Sequence, residues 1–146
     1  MLRRHPVLSL ATFGYLAVIG WVTLGPQPLD GDGRRFLWTA IRWLQDRAAT
    51  EWVTYDGVEF TANVLMFVPI GLMLVLLLGR GRWWLAVLLA VVLTVGIETT
   101  QLFLRDRVPD ARDLVANSIG GFVGVLAALV LTWPKARALR RAELRA

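Results

Sequence analysis

The stretch WWLAVLLAVVLTVGIETTQLFL, residues 83–104, decides the fold. It is long enough to cross a bilayer core, which takes roughly 20 apolar helical residues. It carries a single ionisable group, Glu98. Three more stretches have the same character. Val7–Gly25 has no charge, Phe60–Leu78 has none but is interrupted by Asn63 and Pro69, and Leu114–Trp133 holds only the amide Asn117. Irregular chain cannot cross lipid with its amides unpaired, so all of these read as helices. The expected fold class is all-α, an integral membrane bundle of four transmembrane helices forming one domain over residues 1–146.

Composition agrees. The chain is 56% hydrophobic and only 18% charged, with mean hydropathy +0.56, and a small soluble core could not bury that much apolar side chain. The net charge is +5, but the arginines are scattered between apolar runs, whereas a nucleic-acid footprint needs them on one face. No nucleic-acid partner is expected. Cysteine is absent and His5 is the sole histidine, which excludes disulfides and thiolate chemistry and argues against a zinc site or a Ser-His-Asp triad.

Basic residues in short flanks set orientation. Arg3, Arg4, Arg80, Arg82, Lys135, Arg137, Arg140, Arg141 and Arg145 fall on one side, with Glu143 as the acid among them. That side is expected to be cytoplasmic, so both termini lie inside. The basic start of the first span resembles a secretion signal. Its apolar part is too long, however, and Gly25-Pro26-Gln27-Pro28 offers no small-x-small cleavage site, so a retained helix is expected. Between the first two spans, Leu37, Ile41, Leu44 and Ala48 make an apolar stripe over residues 34–49. This predicts an extracellular amphipathic helix that either lies on the outer leaflet or caps the bundle.

The polar residues inside the spans carry the functional information. Glu59 and Asn63 share a face of the second span; Thr94, Glu98 and Gln101 share one of the third; Asp110, Asp113 and Asn117 are spaced by three and four at the start of the fourth. Three helices thereby bring carboxylates and amides to one level beneath the outer surface. A charge well inside a bilayer costs about 2.5–3.5 kcal/mol on insertion scales, so Glu98 is expected to face the bundle interior. Hydrogen bonding between helices explains one or two amides, but not Glu59, Glu98, Asp110 and Asp113 together. In the fourth span Ala116, Gly120, Gly124 and Ala128 form a small-xxx-small ridge, which lets a partner backbone approach closely, an internal helix in preference to a second copy. Pro69 frees the Leu65 carbonyl in the second span.

The same residues resemble the signatures of the VanZ-like family. One is Glu59-Phe60-Thr61-Ala62-Asn63 through Pro69-Ile70-Gly71, and another is Gly96-Ile97-Glu98-Thr99-Thr100-Gln101. This second signature runs on to Leu102-Phe103 and continues from Arg107-Val108-Pro109-Asp110 through Asp113, Asn117, Gly120 and Gly121 to Gly124. The likeness covers about half the chain, and leaves out the first span and the 34–49 segment. It implies a multi-pass protein of the bacterial plasma membrane, in a family associated with resistance to the glycopeptide teicoplanin.

Two classes of function follow. In one, a cleft open to the outer surface binds or acts on a cell-envelope molecule: a membrane lipid, a lipid-linked wall precursor or a lipophilic glycopeptide. Glu98, Asp110 and Asp113 are then the candidate catalytic groups, with Glu98 as proton donor or acceptor. Glu59, Asn63, Gln101, Arg107, Arg112 and Asn117 line the binding site, and Arg105, Arg107 and Arg112 are placed for a phosphate or carboxylate. The all-oxygen set suits a divalent cation such as Mg²⁺ or Ca²⁺, not zinc. A metal- or acid/base-assisted hydrolase or transferase is the matching reaction class, although the sequence offers no clear nucleophile. In the other class the protein is a non-catalytic scaffold whose polar layer only holds helices together. Four spans are narrow for a transporter, and the sequence leaves the oligomeric state open.

Overall fold

The computed structural model describes residues 6–25, 31–104, 110–134 and 137. The order is α1 (Pro6–Leu24), α2 (Gly31–Gln45), α3 (Tyr55–Leu78), α4 (Trp83–Gln101) and α5 (Ala111–Leu131), with the 3-10 turn Arg80–Arg82 leading into α4. No strand occurs among the described residues. The helices α1, α3, α4 and α5 are long and apolar enough to cross a membrane. Their outward faces agree with a lipid surrounding, since Leu65, Leu88, Val92, Val115, Phe122, Leu126 and Val130 all stand exposed, an apolar surface larger than soluble monomers carry.

Boundaries differ from the hydropathy reading mainly where helices leave the apolar layer. α3 begins at Tyr55 instead of residue 60, because the Thr54 hydroxyl caps it by accepting from the Gly57 amide at 3.1 Å. α5 starts at Ala111, capped by Asp110, instead of at residue 114. α4 stops at Gln101, short of residue 104. α2 spans 31–45, not 34–49.

The centre of the bundle is the α3–α5 pair. A Cβ on Gly120 would strike the Val64 carbonyl, one on Gly124 the Val68 carbonyl, and one on Gly71 the Gly121 carbonyl. The expected ridge therefore packs inside the chain, backbone against backbone. Gly121 turns to α4, where an added Cβ would sit 2.7 Å from Ala90 Cβ. Val75, Ala86, Val125 and Ala128 close the lower core. There α3 turns sharply into α4 through Gly79, whose φ of 86° favours glycine. At this end the Arg80 guanidinium donates to the Leu129 carbonyl and the Thr132 hydroxyl, satisfying the last turn of α5.

α1 docks on α3 and α4 at their other side, with Ile19 packed on Phe67, Ile70 and Ile97. Two long-range hydrogen bonds fix it. The Tyr15 hydroxyl donates to the Met66 carbonyl at 2.8 Å, next to the Leu65 carbonyl that Pro69 cannot serve. The Gln101 side-chain amide donates to the Thr23 carbonyl at 3.0 Å. Tyr15→Phe is expected to lower stability in detergent by about 1 kcal/mol, read as a fall in melting temperature; an unchanged value would mean that the hydroxyl is not needed to seat α1.

α2 keeps most of its stripe: Ile41 is buried and Leu37 and Leu44 are half-buried, but Ala48 falls beyond the helix end and is exposed, and Phe36 and Trp43 stand out. Trp38 stacks on Tyr55 at 5.2 Å, and the Gln45 amide donates to the Val53 carbonyl, tying α2 to the start of α3.

Candidate functional site

The acids and amides singled out from the sequence gather at the end of the bundle opposite Arg80, and Asp113 is their hub. Its position in the first turn of α5 turns the side chain between α3 and α4. Asn63 Nδ2 donates to Asp113 Oδ1 at 2.6 Å. Glu59, one turn before Asn63, and Glu98 on α4 both lie close enough to Asp113 for their charges to interact. Asp110 joins from the α4–α5 connection, its backbone amide donating to Glu98 Oε2 at 3.2 Å. Burial is graded inward. Glu59 and Asp110 are exposed, Asn63, Glu98 and Asp113 are half-buried, and Asn117 is buried.

Asn117 lies deeper, in the contact between α4 and α5. It lies one turn below Asp113, and its Nδ2 donates at 3.0 Å to the hydroxyl of Thr94, itself one turn below Glu98. Asn117 is 3% exposed, and its Oδ1 has no hydrogen-bond partner among the described residues.

Depth differs from the sequence expectation. Since α4 ends at Gln101, Glu98 lies only about 4.5 Å from the helix end. Since α3 begins at Tyr55, Asn63 lies about 12 Å in. The two helix ends are staggered, so both residues still flank the start of α5, Asn63 bonding Asp113 and Glu98 accepting from the Asp110 amide.

Several expected placements change. Glu98 does not face the bundle centre. The buried face of α4 runs through Ala86, Ala90, Thr94, Ile97 and Gln101. Glu98 sits at its edge, half-buried in a groove of about 270 Å³ lined also by Val95, Thr99, Leu102, Asp110, Ala111 and Leu114. Gln101 leaves the cluster altogether, because its amide is taken by α1. Arg112 is not a free anion holder, since its guanidinium pairs with Asp56 at 2.9 Å. Asp56, in the polar first turn of α3, escaped a reading restricted to apolar stretches. Arg105 and Arg107 lie outside the described residues. Among the described residues no three acids or histidines are placed to hold a metal ion, so the geometry lends the divalent-cation expectation no support.

Asp110 has a structural task as well. Its carboxylate accepts from the Arg112 amide at 2.8 Å as the N-cap of α5. Asp110→Ala is expected to cost about 1 kcal/mol and Asp110→Ser only a few tenths, measured as melting temperatures. If Ser is as damaging as Ala, the cap is not what Asp110 contributes.

The helix order, the Asp113–Asn63 bridge and the glycine seam between α3 and α5 can now be set beside known proteins. The VanZ/LLP1 family model matches residues 12–132. The chain belongs to the VanZ/LLP1 family. The match takes in α1 from Thr12 onward and all of α2, which the signatures quoted from the sequence alone had left out. The VanZ/LLP1 unit is thus the whole bundle, with Asp113, Asn63 and Glu98 inside it. No curated protein and no solved structure matches the chain.

Proposed function

We propose that the acidic end of this VanZ/LLP1 bundle is a binding site for a cell-envelope amphiphile at the outer leaflet of a bacterial plasma membrane. The observation that carries this reading is the Asp113 hub. One carboxylate and one amide would bridge α3 to α5, yet Glu59, Glu98 and Asp110 crowd the same mouth. Crowding like charges disfavours the folded bundle, and such arrangements persist where a ligand uses them. The outward placement rests on charge. Arg80, Arg82 and Arg137 mark the opposite end, which the positive-inside tendency assigns to the cytoplasm together with both termini. α2, with Phe36 and Trp43 exposed, then lies along the outer headgroup layer. The ligand classes that fit are membrane lipids, lipid-linked wall precursors and lipophilic glycopeptides, the last in keeping with the family's association with teicoplanin resistance.

The scaffold reading has its own support. The Gln101–Thr23 and Asn117–Thr94 hydrogen bonds join helices and need no ligand. Conservative variants separate the two readings. Glu98→Gln and Asp113→Asn keep shape and most hydrogen bonding. Measured by glycopeptide susceptibility and by co-purifying lipid, both variants are expected to assemble normally and to lose function. Full retention by both would leave the scaffold reading standing.

A further inference from the structure

A second groove, of about 670 Å³, runs along α3 with walls of Val53, Val58, Phe60, Ala62 and Leu65. From Gly57 to Leu65 it follows the helix for about 12 Å, on the outward surface where Ala62 and Leu65 stand exposed. It borders the acid cluster: Phe60 follows Glu59, Ala62 precedes Asn63, and Arg112 at its rim precedes Asp113. Four of its described lining residues have polar side chains, and each is turned to a partner of its own. The Trp52 indole donates to the Ala49 carbonyl at 3.0 Å. The Thr54 hydroxyl accepts from the Gly57 amide, and the Thr61 hydroxyl donates to the Gly57 carbonyl at 2.7 Å. Arg112 is paired to Asp56. What remains for an occupant is apolar surface, in a volume within the range of ligand clefts, about 300–1,000 Å³. Left empty, such a cleft would forfeit dispersion contacts along its walls.

We propose that this groove seats one hydrocarbon tail of the envelope amphiphile whose head sits at the Asp113 end. This rests on the binding-site reading above and deepens it, because it makes the ligand a tailed lipid and gives the tail a place. The chemistry of the walls selects a tail over a peptide. A peptide would bring backbone N–H and C=O groups, and the polar side chains that could satisfy them are already engaged. Bilayer tails are as apolar as the groove, so seating one gains packing and a fixed position, with no hydrophobic gain of its own. Head and tail are then held together, and blocking the groove loosens the whole ligand.

The test places the full chain in vesicles of phosphatidylglycerol and phosphatidylethanolamine, extracts it into mild detergent, and counts retained lipids by native mass spectrometry. The parent is expected to keep one lipid. Ala62→Phe fills the groove from an exposed position and should retain about tenfold less, the order of penalty that overfilling a packed site brings. Thr61→Phe repeats the block if Ala62→Phe lowers the melting temperature. Val92→Phe adds bulk on the exposed face of α4, outside the groove, and should retain as the parent does. Retention by the groove variants equal to the parent overturns the assignment, and so does an equal loss in Val92→Phe. If Asp113→Asn alone then loses lipid, the binding-site reading stands without the groove. A parent that keeps no lipid also overturns the assignment, and a lipid-free dimer gives the groove to a second copy. In those two cases the glycopeptide susceptibility of Asp113→Asn judges the binding-site reading separately.

Discussion

Gly120→Ala is expected to destabilise the bundle by about 2–3 kcal/mol, as overpacking in a tight core does when nothing can rotate away. The added methyl would meet the Val64 carbonyl, and Phe67 Cβ lies 2.9 Å from its position. Neither is the flexible end of a side chain, so α3 and α5 must separate. Dispersion and close backbone approach dominate helix association in lipid, and the loss propagates along the seam through Gly124 and Gly71. Gly96 supplies the control, because a Cβ there meets nothing within 4 Å, and Gly96→Ala should be neutral or slightly stabilising by helix propensity. Melting temperatures of the two purified variants decide it. Equal behaviour would mean that the α3–α5 contact is looser than described.

Substitution of Asp113 is expected to split stability from function. Asp113→Ala strands the Asn63 amide in a half-buried position, at a cost of about 1.5–3 kcal/mol. Asp113→Asn keeps an acceptor for that amide and removes a like charge facing Glu59 and Glu98. It should therefore equal or exceed the parent in stability, by up to about 1 kcal/mol, while ligand binding is lost. Thermal unfolding and co-purifying lipid, measured on the same samples, read both effects. If the asparagine variant unfolds as readily as the alanine one, the charge itself holds the helices together and the site is structural.

Much of this was legible before any coordinates. Four apolar runs give four spans, because lipid leaves the backbone little alternative to helix. The ridge through Gly120 and Gly124 announced close packing, and the spacing of Asp113 and Asn117 placed them on one face. The misreadings share a physical origin at the membrane border. Hydropathy follows the apolar layer and stops where the chain becomes polar, but hydrogen bonding continues α3 back to Tyr55 under the Thr54 cap. That shift hid Asp56 and its pairing with Arg112. The face of α4 was ambiguous for a related reason. Glu98 and Gln101 are three apart and share a broad stripe, and only the position of α1 shows that the amide turns inward while the acid stays at the seam. In Asp110, by contrast, a capping signal was present: an acid just before an apolar helix, with another acid three residues later.

The pairing of α3 with α5 has a consequence for biogenesis. These spans are separated in the chain by the whole of α4, and α5 is the last of the four to be synthesised. When α3 first enters the bilayer, Asn63 has no Asp113 to meet and the Val64 and Val68 carbonyls face lipid or translocon. The Asp113–Asn63 cluster therefore forms in one late step, once α5 packs its glycines against α3, and an insertion intermediate arrested before that step lacks it.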